Sequence, residues 1–349
     1  MIDECYLGDT RDGLRAFAAA GIKARTCVTS PPYWGLRDYG VDGQMGLEPT
    51  PAEFVERTVE VFRLVRDVLA DDGTLWLNMG DSYATGAGRV GNAPGGGGQG
   101  EKWRGGHEGK HGQVGPMTQP NRMPLEGLKP KDLIGIPWRV AFALQADGWY
   151  LRQDIIWSKP NPMPESVRDR CTKAHEYLFL LSKQARYYYD TDAIAESRAS
   201  VGDSFVNGWA IGSGAHTAIA HARDKGDARS FRGGGKYTNG QSRTAEPVER
   251  DTHGNQPANK ETRNRRSVWT IPSEPFPGAH FATFPTALVE PCILAGSAPG
   301  DVVLDPFLGS GTVAQVAQNL GRHWIGCELN PEYHKMIHRR TAQAGMVLA

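Results

Sequence analysis

The chain has 349 residues, 39% hydrophobic and 22% charged, and its 39 Lys/Arg balance 39 Asp/Glu for a formal net charge of zero. That length buries a full core, as one large α/β domain or a domain with a smaller module, and the composition is ordinary for a soluble enzyme. No apolar run approaches the ~20 residues that span a bilayer, Met1-Ile2-Asp3-Glu4 shows no signal-peptide pattern, and the five scattered cysteines lack a CxxC pair, so a cytoplasmic protein with neither disulfide framework nor metal site is expected.

In chain order, a strand-like segment Glu4–Leu7 runs through Gly8-Asp9 into a helix-like segment, Arg11–Ala20. The next strand, Thr26–Thr29, stops in Ser30-Pro31-Pro32-Tyr33-Trp34. Two consecutive prolines fix φ and remove two backbone donors, so the loop presents carbonyl acceptors and does not pair onward. A hydroxyl, a bare carbonyl and two aromatic rings at a strand end suit a flat, amine-bearing ligand such as an extruded nucleobase. A plain Pro-rich turn with surface aromatics is the alternative.

Apolar residues in Pro51–Leu69 recur at three and four (Phe54, Val55, Val59, Phe62, Val65, Leu69), a one-sided helix ended by Asp71-Asp72-Gly73. Strand Thr74–Met79 follows, then a Gly-rich stretch, Ala84–Leu128, with Gly95 to Gly98 consecutive and too little apolar surface to order alone. Helix Leu133–Ala146 precedes strands Leu151–Trp157 and Tyr177–Leu181. From the loop between those strands, Lys159 can reach a phosphate, line a base pocket or stay solvated. Asp81 reads as a turn or helix cap, and His175 as a packed strand-edge residue.

Residues 197–266 are polar, Gly-punctuated and too long for a simple loop. From Arg198 to Arg266 twelve Lys/Arg face seven Asp/Glu, closing with Arg263-Asn264-Arg265-Arg266. A local basic surface engages phosphates whatever the total charge; a solvated face is the other reading.

Helix Pro285–Gly296 and strand Val302–Leu304 lead into Asp305-Pro306-Phe307-Leu308-Gly309-Ser310-Gly311-Thr312, helix Thr312–Asn319, strand Trp324–Cys327 and helix Pro331–Ala342. Gly309 and Gly311 allow a ligand close to the backbone, and the helix start offers free N–H groups to an anion. Glu328 ends the second strand, 23 residues after Asp305, placed to accept from ribose hydroxyls. This is the pattern of a nucleoside-binding unit, and without Gly-Lys-Ser/Thr it is no NTPase P-loop. Cys292, after Pro291, lies in an apolar helix-like run and reads as a buried structural cysteine. Strands alternating with helices imply an α/β fold with a mostly parallel sheet covered on both faces.

Taken together, these two halves resemble the S-adenosylmethionine-dependent amino-methylating DNA methyltransferases of the β group. Phe307-Leu308-Gly309-Ser310-Gly311 resembles that family's FxGxG cofactor motif, and Ser30-Pro31-Pro32-Tyr33 its (D/N/S)PP(Y/F/W) catalytic motif. The order, catalytic loop first and cofactor motif last, is that group's circular permutation. The resemblance implies a permuted Rossmann-like methyltransferase fold with a target-recognition insertion. Its parts are residues 1–190 (catalytic half, Gly-rich insertion at 84–128), 191–267 (target recognition) and 268–349 (cofactor half). It implies catalytic roles for Ser30, Pro31, Pro32 and Tyr33. Cofactor contacts fall on Asp9, Phe284, Pro285, Asp305, Pro306, Phe307, Gly309, Ser310, Gly311, Thr312 and Glu328. DNA contacts are expected at Trp34, Lys159, Arg263, Arg265 and Arg266.

Implied partners are double-stranded DNA, a second copy of the chain and a cognate restriction endonuclease. Serine at the head of the loop is similar to enzymes acting on N4 of cytosine. Adenine N6 on the same scaffold stays open, as do an RNA or protein methyltransferase and a non-catalytic DNA- or cofactor-binding regulator.

Overall fold

The computed structural model describes residues 2–84, 128–197, 262–274 and 284–347. Two compact units emerge, Met1–Ile194 with Arg265–Ala349, and Ala195–Asn264. In the first unit the strands are β1 (Glu4–Leu7), β2 (Ala24–Thr29), β3 (Leu69–Met79), β4 (Tyr150–Ser158) and β5 (His175–Ser182), then β8 (Val268–Thr270), β9 (Val302–Asp305) and β10 (His323–Glu328). Its helices are α1 (Thr10–Ala19), α2 (Pro51–Val68), α3 (Ile136–Ala146), α4 (Thr286–Gly296), α5 (Thr312–Asn319) and α6 (Pro331–Val347). In the second unit β6 (Glu196–Ser197) pairs antiparallel with β7 (Thr262–Arg263). The Gly-rich segment, apart from Ala84 and Leu128, and most of 191–267 lie outside the described residues.

The eight strands of the first unit form one sheet in the order β1-β10-β9-β2-β3-β5-β4-β8. From β1 to β3 every pairing is parallel; β5 runs antiparallel to both β3 and β4. Alternation along each strand feeds two cores: Leu75, Leu77 and Met79 join one with α1, α2 and α3, while Trp76 joins the other with α4 and α5. Each large apolar side chain so buried contributes about 1.5–3 kcal/mol.

Two boundaries differ from the sequence reading. Asp71-Asp72-Gly73 does not merely end α2, because β3 already begins at Leu69. The three residues form an irregularity within β3, Ala24 pairing with Leu69 and Thr26 with Thr74. There Asp72 pairs with Arg25, and a Cβ on Gly73 would sit 2.9 Å from the Ala70 carbonyl oxygen. Helix α3 starts at Ile136 rather than Leu133, because Leu133 bridges to Tyr83 and Gly135 takes φ +77° at the N-cap. Asp81 caps that helix, Oδ1 accepting from Gly135 and Ile136 N–H at 3.0 and 3.2 Å. Strands β6, β7 and β8, too short for a periodic signal, were not expected.

At one edge of the sheet β1, β10, β9, β2 and β3 all terminate. Neighbours β9 and β2 send their chains in opposite directions, β9 through α5 to β10 and β2 through α2 to β3. A crevice opens at such a switch point.

Candidate active site

Carboxyl ends of these strands surround a cavity of about 550 Å³, within the roughly 300–1,000 Å³ of small-molecule sites. It joins the proline loop after β2 to the glycine loop after β9. Ser30, Pro31, Pro32, Tyr33, Lys159 and Asp9 line it, with Phe284, Pro306, Phe307, Ser310, Thr312 and Glu328.

On the proline-loop side the bonding is directional. Asn78, near the end of β3, donates Nδ2 to the Tyr177 carbonyl of β5 at 3.1 Å, which fixes the amide with Oδ1 toward the loop. The Tyr33 hydroxyl has one proton and a carboxylate oxygen, Glu176 Oε2, at 2.8 Å. Ser30 Oγ then donates to Asn78 Oδ1 at 3.3 Å and keeps its lone pairs for the cavity. Among the described residues no donor takes the Pro31 carbonyl. Lys159 Nζ bonds the other Glu176 oxygen and stands 4.1 Å from the centre of the Trp157 ring. Burial, and then the Glu176 charge, holds the Tyr33 phenol well above its ordinary pKa, so it stays protonated. The ring edge lies against the bare Cα of Gly80, where a Cβ would come within 2.6 Å of Tyr33 Cε2.

On the glycine-loop side Asp305 shapes the turn. Its Oδ1 accepts from Thr29 Oγ1 at 2.6 Å and Phe307 N–H at 2.9 Å, tying β2 to β9. The side chain lies beneath the cavity, 1% exposed, with Oδ2 buried and unpartnered, and burial pushes its pKa up to about 7. Glu328 accepts from Gly309 N–H at 2.8 Å and Asn330 N–H at 2.7 Å and is likewise raised to about 7 by burial. Pairing of Leu7 with Glu328 brings Gly8 and Asp9 alongside. Asp9 caps α1 through Arg11 N–H at 2.8 Å, and the Arg11 guanidinium holds its carboxyl below the usual range.

Some expected site residues sit elsewhere. Trp34 is 4% exposed in the core, its indole N–H on the Glu48 carbonyl at 2.8 Å, rather than on the cavity surface. Pro285 is buried as the N-cap of α4. Gly311 has φ +83°, and Ile337 of α6 packs against its bare Cα, at 3.2 Å from a built Cβ. Arg265 lies 4.5 Å over the Trp269 ring with Nε buried, whereas Arg266 is exposed. Arg263, in the second unit, bonds Glu196 at 3.3 Å. Cys292 is fully buried and donates to the Leu288 carbonyl. The sequence reading did not assign Asn78, Glu176 or Tyr333 to the cavity, yet all three line it.

A parallel sheet whose switch-point crevice holds a glycine loop, a strand-end carboxylate and a hydroxyl-proline loop defines an α/β methyltransferase. A family model described as DNA methylase, N6_N4_Mtase, matches residues 24–339. The type II methyltransferase M.Cfr9I of Citrobacter freundii is 44% identical over 328 residues, 94% of this chain and 84% of that one. M.SmaI of Serratia marcescens is 43% identical over 334 residues, 96% and 89% of the two chains. The chain belongs to this N6/N4 DNA methylase family, whose members take their methyl group from S-adenosylmethionine. Among solved structures, the cytosine-N4-specific PvuII DNA methyltransferase superposes with TM-score 0.53 at 16% identity, covering 98% of this chain and 90% of that one. A Thermus thermophilus protein solved with S-adenosyl-L-methionine gives 0.52 at 20% identity, covering 98% and 93%. At these identities the two support the fold alone.

Proposed function

We propose that the chain methylates the exocyclic N4 amine of a cytosine flipped out of duplex DNA, at one recognition sequence, as the modification partner of a type II restriction endonuclease. The observation that carries the base assignment is Ser30. The residue heading the loop is a neutral hydroxyl oriented by Asn78 as an acceptor, where the adenine enzymes usually place an aspartate.

The cofactor half fits S-adenosylmethionine. Glu328 offers a carboxylate with lone pairs left on both oxygens, Phe284, Phe307 and Tyr333 supply apolar and aromatic wall, and the volume is adequate. When bound, the cofactor supplies an electrophilic methyl group. The chain's own work is to hold the amine. Ser30 Oγ and the Pro31 carbonyl take its two N–H groups, drawing the nitrogen toward tetrahedral geometry and freeing its lone pair. Tyr33, clamped at its hydroxyl by Glu176 and at its edge by Gly80, gives the base a fixed stacking surface. Residues 191–267 serve as the target-recognition region on the strength of their basic composition.

Transfer of labelled methyl to mixed-sequence duplex DNA, followed by digestion and mass identification of the nucleoside, tests this reading. N4-methylcytosine is expected; N6-methyladenine overturns the base assignment and keeps the class. No label in DNA, with cofactor binding verified, redirects the search to RNA or protein.

A further inference from the structure

One large apolar side chain contributes to neither core. Met163 is 86% exposed, the most exposed large apolar side chain among the described residues, and it lines the mouth of the cavity. It follows Lys159, whose Nζ bonds the Glu176 carboxylate that clamps Tyr33. That bond tethers it to the Tyr33 end of the cavity, by at most about 14 Å of chain. The loop that carries it is stiff. Pro160, Pro162 and Pro164 fix φ on both sides of it. Asn161 Oδ1 accepts from Ser273 N–H at 3.1 Å, and Lys159 N–H donates to the Ala174 carbonyl at 2.8 Å. Farther along, Arg170 bonds Glu165 at 2.6 Å and lies 3.9 Å over the Tyr83 ring.

A thioether held this rigidly in water forgoes the burial that such a side chain ordinarily gains. A residue serving only as cavity wall would be covered by its neighbours, whereas Met163 turns outward, toward whatever approaches the mouth. A duplex that gives up one base to the cavity keeps a gap in its stack, bounded by two flat apolar faces. Methionine suits that gap, being unbranched, apolar and polarisable against a ring, and it is among the side chains that wedge between base steps. Arg168, five residues on, is exposed and supplies a cation for the adjacent phosphates.

We propose that Met163 is the wedge that enters the duplex and fills the place vacated by the flipped base, holding that base out while Ser30 and Tyr33 engage it. The proposal rests on the reading of the cavity as the pocket of a base turned out of duplex DNA. Met163 acts on the opening of the duplex and not on the methyl group. Its loss therefore raises the cost of turning the base out and leaves cofactor binding and the transfer geometry as they are.

Mapping the methylated position in mixed-sequence duplex DNA gives the site, and two synthetic duplexes are built on it, one fully paired and one with the target base mismatched. A mismatched base leaves the stack at lower cost. Single-turnover transfer by wild type and Met163→Ala is measured on both, with S-adenosylmethionine affinity by calorimetry; the side chain lies outside both cores, so the variant folds. On the paired duplex Met163→Ala should be about 10- to 100-fold slower than wild type, the scale of burying one large apolar side chain. On the mismatched duplex the two rates should agree within about threefold, and the cofactor affinities within about twofold. Equal rates on the paired duplex overturn the proposal. An equal penalty on both duplexes overturns it too, because Met163 would then act in the transfer step, and weakened cofactor binding does so by making it cavity wall. Wild type that transfers no label to duplex DNA overturns the underlying reading of the cavity, and the wedge with it.

Discussion

Replacing Gly80 by alanine probes the clamp on Tyr33 from a position outside the cavity lining. The backbone there is not left-handed, so the added methyl acts by contact alone. Its Cβ would lie 2.6 Å from Tyr33 Cε2, 3.1 Å from Cδ2 and 3.4 Å from Glu176 Cδ. Carbon atoms rest at about 3.5–4.0 Å, so the ring must retreat by about 1 Å. The Tyr33–Glu176 bond starts at 2.8 Å, and a shift of that size carries it past the limit of a hydrogen bond. Losing a bond to a carboxylate costs about 1.5–3 kcal/mol, and a misplacement of about 1 Å near the chemistry costs about 100-fold in rate. Gly80→Ala should therefore slow single-turnover methyl transfer into duplex DNA by about 10- to 100-fold, with cofactor affinity unchanged. In a Tyr33→Ala background the same change should cost almost nothing further, because the clashing ring is gone. A transfer rate within twofold of wild type, or an equal penalty in both backgrounds, would refute the argument.

Ser30→Ala should lower the transfer rate by about 100-fold or more while cofactor binding, measured by calorimetry, stays within twofold. The buried Asp305 titrates at about 7 when folded, against an ordinary 3.8. Between those values the folded chain holds a proton that the unfolded chain has released, so stability falls as pH rises from about 4 to 7 and levels off above. Asp305→Asn, which keeps the acceptor for Thr29 and Phe307, should flatten that decline in melts run from pH 4.5 to 8, leaving the smaller part due to Glu328; an unchanged slope refutes the assignment. The two neighbouring arginines should separate: Arg265→Ala lowers the melting temperature by losing its stack on Trp269, whereas Arg266→Ala reduces the salt slope of DNA binding by about one.

Residues 30–33 and 305–328 could be read because each half of the site is a local motif, a strand followed by its loop. The Ser30 loop and the Asp305–Glu328 unit needed only the rule that parallel strands end together. Asn78 and Glu176 were hidden because β5 reverses direction beside β3, and nothing in 69–79 announces that partner. The one available signal for Glu176 was a carboxylate immediately before the apolar run Tyr177–Leu181. Asp305 and Trp34 carry the opposite lesson. Both stand beside the motif residues, yet one is turned beneath the cavity and the other into the core, and only the fold decides which way a side chain at a strand end points.

The pairing of β1 with β10 has a consequence for how the enzyme is made. Asp3 takes the Trp324 N–H across 321 residues, and Gly8 N–H reaches the Glu328 carbonyl at 2.9 Å. Contacts this distant in sequence form late and slow folding. During synthesis the Ser30 loop leaves the ribosome about 300 residues ahead of β10, the strand that completes the cavity on its other side. A fragment arrested before Glu328 carries the Ser30 loop without the strand-end carboxylate across the cavity from it, so the two halves of the site meet only once β10 has been made.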